Sequence, residues 1–205
     1  MIVGLYARHG ENPANKLNIF RGRIDAPIDK EGEEQARDLA DYVFENYTVE
    51  RLVVSPLLRT METAQPIKKA FGLEIIQEGA LMATDTGFLT GEDKDEFNDV
   101  YEFFLENPSV TIPRGESMNT VHDRVGDFFE KDLKNSAFTL YMAHSSTGVV
   151  LANLVNGNRD LRPGVDHIID PGGLCEIHFE DGSYVLRPVF KESKKVKEKE
   201  TPVNV

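Results

Sequence analysis

Arg8-His9-Gly10-Glu11 follows directly on the apolar run Ile2-Val3-Gly4-Leu5-Tyr6-Ala7. A β-branched and aromatic run ending this way reads as a buried strand that delivers a histidine to a turn. Histidine is a usable nucleophile near neutral pH, because its unperturbed pKa lies at about 6.5. The neighbouring Arg8 suits a phosphate, since a planar guanidinium donates two parallel hydrogen bonds. Gly10 lets the chain turn sharply or approach a ligand closely. Together these residues point to phosphoryl transfer through a phosphohistidine. An isolated Arg-His-Gly also fits a surface turn, so the elements around it have to decide.

Those elements alternate. Helical periodicity runs over 31–47, with Ala36, Leu39, Ala40, Val43, Phe44 and Tyr47 on one side and Glu31, Glu33 and Glu34 in the first turn. Leu52-Val53-Val54 is a short buried strand, 57–71 a helix stopped by Gly72, and 73–77 a further strand. Residues 79–93 hold three glycines and no period, which predicts a loop. Helices are expected over 94–106 and 117–134, a strong strand over 138–143, and a helix over 146–155 closed by Asn156-Gly157. Residues 174–179 and 184–190 read as a hairpin around Glu180-Asp181-Gly182. The fold class is therefore α/β: a three-layer α/β/α sandwich with a mostly parallel central sheet, binding ligands at the carboxyl ends of its strands. His9, Ser55 and His144 each follow a strand and share that edge. One domain over 1–190 and a charged, flexible tail over 191–205 complete the organisation.

Composition narrows the partners. The chain has 205 residues, 40% hydrophobic, enough for one sizeable core. No apolar run approaches the roughly 18 residues of a membrane span, and the first strand has no basic region before it, so neither a span nor a signal peptide is expected. Cys175 is the single cysteine; it reads as a packed strand residue and suits a reducing, cytoplasmic setting. Net charge is −12; residues 191–205 hold five Lys and three Glu, leaving 18 basic against 32 acidic side chains, −14, on residues 1–190. Such a surface repels nucleic acid and anionic lipid. A phosphorylated small molecule is accepted only if the basic residues gather in the site, and Arg8, Arg21, Arg23 and Arg59 lie near the motifs that would form it.

Over roughly residues 1–190 the chain resembles the histidine phosphatase superfamily, which includes the cofactor-dependent phosphoglycerate mutases. The resemblance rests on separated elements in the right order. Arg8-His9-Gly10-Glu11 is similar to the family signature whose histidine takes the phosphoryl group. Asn15, Gly22 and Asp25 match positions of the loop that follows, and Gly32, Gln35 and Ala36 the opening of the first long helix. Ser55-Pro56-Leu57-Leu58-Arg59 with Thr63-Ala64 resembles the second signature, whose arginine binds phosphate. Gly115-Glu116-Ser117 resembles a further element, and Ala143-His144-Ser145 the second pocket histidine. The resemblance implies His9 as nucleophile, a cationic His144 beside it, and Arg8, Asn15 and Arg59 as phosphate donors. It implies no cofactor and no metal; Cys-x-x-Cys and His-x-x-x-His spacings are also absent.

The leaving alkoxide needs a proton. The family loop commonly reads Leu-x-Glu with spaced glycines after it; Leu81, Gly87 and Gly91 keep the spacing, but Ala83 stands at the glutamate position. Asp85 is the expected general acid and later base, since a bound phosphate and partial burial would favour its protonated form; Glu78, Glu92 and Asp93 are the alternatives, and a turn-capping Asp85 is the other reading. Asn12 replaces the usual Thr or Ser and still offers hydrogen bonds. Arg21, Gly22, Glu116 and Ser145 are candidates for the substrate loops. Arg21 and Arg23 either meet a second anionic group or lie on the surface; Glu116 and Ser117 either orient pocket arginines or cap the helix near 118. His122, His167 and His178 read as structural or exposed. The function expected is a metal-independent phosphomonoesterase, with a phosphoglycerate mutase-type transferase or a weakly active phospholigand-binding regulator as alternatives.

Overall fold

A computed structural model describes residues 1–154, 169–180 and 182–190, with the backbone alone at Ser183. The sequence readings on Asn156-Gly157, His167, Asp181 and the 191–205 tail lie outside these residues. Six strands form one sheet: β1 (Ile2–Arg8), β2 (Arg51–Val54), β3 (Ile75–Gln77), β4 (Thr139–Ala143), β5 (Leu174–Glu180) and β6 (Ser183–Phe190). Their order is β3-β2-β4-β1-β5-β6. The first four run parallel, while β5 pairs antiparallel with β1 and β6 antiparallel with β5. The helices are α1 (Lys30–Asn46), α2 (Leu58–Phe71), α3 (Lys94–Glu106), α4 (Met118–Asp132) and α5 (Ser145–Leu154). Among the described residues no helix is long and apolar enough to cross a membrane.

Strand side chains alternate between two cores, as a pleated sheet requires. Leu5, Ala7, Leu52, Val54, Leu140 and Met142 face α1 and α2, meeting Leu39, Val43 and Ile67. Tyr6, Val53 and Tyr141 face the other way, toward Val125 and Phe129 of α4 and Val150 and Leu151 of α5. This double burial explains the continuous apolar runs of the parallel strands. A third cluster, built on Phe20, Leu89, Phe104, Leu105, Ile112 and Met118, anchors α3 and its flanking loops.

Local signals set the helix ends. The Asp29 side chain accepts from the Gly32 amide at 3.0 Å and starts α1; Ser117 accepts from the Thr120 amide at 3.1 Å and starts α4. Gly72, at φ 65°, closes α2. Phe44 differs from its expected burial: it is 59% exposed, with its ring edge-on to Phe71 at 5.5 Å between centroids, because the α1 apolar face is narrower than the sequence stripe. The expected 79–93 loop contains two one-turn 3-10 segments, Gly79–Leu81 and Gly87–Leu89. A Cβ on Gly10 would lie 2.7 Å from the Gly32 carbonyl oxygen, so the turn after β1 and the start of α1 touch backbone to backbone.

The register brings Arg8 opposite Ala143 and Val54 opposite Met142, so β1, β2 and β4 end on one edge. From β1 the chain goes to the α1 face; from β4 it goes to the α5 face. That divergence opens a crevice between the two strands.

Candidate active site

His9, Ser55 and His144 stand at this crevice, one step beyond β1, β2 and β4. His9 continues the ladder, its amide donating to the Ala143 carbonyl at 3.1 Å, as the Ser55 amide does to Met142 at 3.0 Å. The two histidine rings face each other at 5.3 Å between centroids. Both are 3% exposed. The site floor is thus an extension of the sheet, with little room to move.

His9 Nδ1 lies 2.7 Å from the Gly10 carbonyl oxygen. A carbonyl only accepts, so Nδ1 carries the proton and Nε2 presents its lone pair. Arg59 Nε donates to that Nε2 at 3.2 Å, and its Nη1 donates to the Ile24 carbonyl at 2.7 Å. The next turn of α2 locks the pair: Thr63 Oγ1 donates to the Arg59 carbonyl at 2.7 Å and accepts from the Gly10 amide at 3.0 Å. His144 Nε2 meets Ser55 Oγ at 2.8 Å, and its backbone carbonyl accepts from the Tyr6 hydroxyl at 2.6 Å. Arg8 donates to the Ile169 carbonyl at 3.0 Å.

Burial and positive neighbours act together on these groups. Burial, then Arg59 and Arg8, pushes His9 well below the ordinary histidine value. Burial, then Arg59 and His9, does the same to His144. A third positive charge beside Arg59 and Arg8 is disfavoured in a buried site, so this arrangement, without a bound anion, leans toward a neutral His144 rather than the cationic one the resemblance implies. Burial, then Arg21, lowers Arg59 to about 10, so it stays charged at neutral pH.

A cavity of about 260 Å³ opens over this floor. Arg8, His9, Arg59 and His144 form its base, with Arg21, Gly22, Ser145 and Ser146 beside them. Gly22 sits at φ 48°, and its carbonyl is a further Arg59 contact at 3.5 Å. Ala83, Thr84 and Thr86 line the loop side. The remaining wall is Phe20 together with α3, which presents Lys94, Asn98, Tyr101, Glu102 and Leu105.

Three expected contributors stand elsewhere. Asn15 is outside the lining; its side-chain amide donates to Glu11. Asp85 is also outside it: its carboxylate accepts from the Gly87 amide at 3.0 Å and faces Arg23 at 3.6 Å, which is turn capping. Glu116 holds arginines, though not those of the cavity floor. It accepts from Arg124 at 2.7 Å, Arg23 at 3.2 Å and the Asp85 amide at 2.9 Å. Arg23 is thereby drawn into the loop's support, while Arg21 alone of that pair lines the cavity. Of the alternative acids, Glu78 accepts from the Ala80 amide at 2.7 Å, Asp93 starts α3, and Glu92 is absent from the lining. The sequence motifs give the α3 wall no role; positions 94, 98, 101, 102 and 105 fall on one helical face, and that spacing is the one signal of it in the sequence. Among the described residues no cluster of three His, Cys, Asp or Glu is placed to hold a metal ion.

Residues 5–191 match the model of the histidine phosphatase superfamily, branch 1. The chain belongs to that superfamily. Over 163 residues it is 33% identical to the Escherichia coli O1:K1 protein named "Probable phosphoglycerate mutase GpmB", covering 76% of this chain and 74% of that one. Its fold is similar to the α-ribazole phosphatase of Shigella flexneri, with a TM-score of 0.75, 21% identity and coverage of 90% and 94% of the two chains. It is also similar to a mycobacterial glucosyl-3-phosphoglycerate phosphatase, with a TM-score of 0.70, 17% identity and coverage of 90% and 95%. The chain is thus similar both to a relative named for mutase chemistry and, in fold, to phosphatases.

Proposed function

We propose that this histidine phosphatase superfamily member is a metal-independent phosphomonoesterase acting on a phosphorylated small molecule through a phosphohistidine at His9. One observation carries the reading: His9 is held with Nδ1 donating to Gly10 and Nε2 turned to Arg59. Arg59 guards the lone pair until a phosphoryl group draws its N–H onto its own oxygens. Nε2 then attacks phosphorus in line. Arg8, Arg59 and the neutral His144, which exchanges a hydrogen bond with Ser55, hold the equatorial oxygens as charge spreads over them. Water afterwards attacks the phosphohistidine and releases inorganic phosphate. The charges that act on His9 among the described residues are Arg59, Arg8 and Arg21, which attract an oxyanion and repel a divalent cation. The −12 net charge and a cavity of about 260 Å³ favour a small phosphorylated metabolite over nucleic acid.

The similarity to a relative named for mutase activity supports a second reading, phosphoryl transfer between positions of a phosphoglycerate. Hydrolysis of an activated aryl phosphate in EDTA, by the parent and by His9→Ala, tests the first. Turnover that persists in EDTA and vanishes in the variant is expected. A folded parent without turnover, but with acid-labile phosphate on His9 after bisphosphoglycerate treatment, would establish the transferase instead.

A further inference from the structure

An alkoxide leaving group needs a proton, and the loop that ought to supply it brings no carboxyl group to the cavity. Ala83 lines the cavity in place of the glutamate that the sequence pattern calls for. Asp85 and Glu116 are engaged with Gly87, Arg23 and Arg124 outside it. Among the described residues one carboxyl group lines the same cavity as His9: Glu102, two turns into α3 from Lys94. Among the described residues its side chain is given no hydrogen bond or ion pair, although the cavity is also lined by Arg8, Arg21, Arg59 and Lys94. Half-buried in the cavity wall and unengaged among the described residues, Glu102 is available for work that Asp85 and Glu116 are not.

We propose that Glu102 is the general acid and base of this site, having taken over from α3 the task that Ala83 cannot perform. The proposal rests on the phosphohistidine reading. In the first half-reaction His9 Nε2 forms a bond to phosphorus, the P–O bond to the alcohol breaks, and the departing oxygen takes the Glu102 proton. In the second, water oxygen bonds to phosphorus, the N–P bond breaks, and the Glu102 carboxylate takes the proton of the attacking water. His9 and protonated Glu102 are regenerated, and one water is consumed.

The test is a leaving-group series of phosphate monoesters, from 2,4-dinitrophenyl through phenyl to alkyl, run on the parent, Glu102→Gln, Asp85→Asn and His9→Ala. An acid that protonates the leaving oxygen makes the parent's rate depend weakly on leaving-group basicity. Glu102→Gln is expected to steepen that dependence, losing about 10²–10⁴-fold on the most basic leaving groups and much less on dinitrophenyl phosphate. A merely structural loss would lower the whole series by one factor and leave the slope in place. Asp85→Asn is expected to scale the whole series by one factor. A parent already as steep as Glu102→Gln, an unchanged slope in Glu102→Gln, or a steepened slope in Asp85→Asn would each overturn the assignment. His9→Ala losing turnover on every ester shows separately that the phosphohistidine reading stands.

Discussion

The floor and the roof of the cavity are built on opposite terms. The floor consists of strand ends: His9, His144 and Ser55 are 3%, 3% and 0% exposed, and each is tied by its amide or carbonyl into the sheet or the first turn of α5. The roof is α3 with its flanking loops, resting on a small satellite core, with Phe103 50% and Val100 38% exposed on its outer side. A floor this constrained fixes which reaction is possible, because phosphoryl transfer depends on donors held in place before the charge develops. A roof joined to the molecule through fewer buried contacts is free to change its side chains without unfolding the core. The difference teaches where chemistry and selectivity would reside on the proposed reading: Arg59 and His9 belong to the first, and Phe20, Asn98 and Tyr101 line the side left for the rest of the substrate.

The comparison breaks most sharply at Arg59, if it breaks at all. Arg59→Lys keeps the charge and the helix but cannot bond His9, Ile24 and Gly22 at once. A loss of about 10²–10³ in kcat on an aryl phosphate is expected, with the thermal midpoint nearly unchanged. Steady-state kinetics alongside a melting curve check it. A lysine variant with near-parent kcat would mean that the floor works by net charge rather than by fixed geometry.

Gly22 joins the two regions and carries the next largest effect. At φ 48° an alanine is strained, and its Cβ would fall 2.8 Å from Thr90 Oγ1 and closer still to Thr86 Oγ1. Gly22→Ala should lower unfolding stability by about 2–3 kcal/mol, combining the backbone strain with the displaced threonines. Gly72→Ala is the control: its φ is 65° but nothing lies within 4 Å of the added methyl. It should cost only about 1–2 kcal/mol, the strain alone. Urea titrations of both variants give the difference directly; equal losses would show that the 22–86 contact yields freely.

The floor was legible in the sequence because its residues sit at strand ends and strands declare themselves by short apolar runs. His9, Ser55 and His144 follow Ala7-Arg8, Val54 and Ala143 at a spacing that any parallel sheet converts into one edge. The sequence reading of a mostly parallel α/β sheet holds through β1 to β4, and the closing hairpin accounts for the antiparallel β5 and β6. The roof was not legible in the same way. Its loop residues are placed by side chain to backbone bonds whose partners lie far along the chain: Arg23 reaches the Ala83 carbonyl at 3.1 Å, and Glu116 reaches the Asp85 amide at 2.9 Å. No periodicity reports such pairings, so Asp85, Asn15 and Arg23 looked equivalent to residues that face the substrate. The face of α3 was written in the sequence as a helical stripe, but a stripe shows only that a helix has two sides, and the satellite core of Phe104 and Leu105 takes the apolar share of it.

The smallest expected effect is on stability against pH, and it belongs to the floor alone. His9 and His144 are pushed well below the ordinary histidine value by burial and by Arg59. In the unfolded chain both take up protons as pH falls through about 6.5, while the folded protein resists protonation, so acid favours unfolding. Each contributes up to about 1.4 kcal/mol per pH unit, starting near pH 6.5 and ending where the folded-state imidazole finally accepts its proton. Carboxylates elsewhere add their own acid dependence, which a single variant subtracts. His144→Gln keeps a hydrogen-bonding group toward Ser55 but has nothing to titrate, so its urea midpoint should fall less steeply than the parent's between pH 7 and pH 5 in a phosphate-free buffer. Parallel curves for the two proteins would mean that His144 is protonated as readily folded as unfolded, and that the floor tolerates a third positive charge after all.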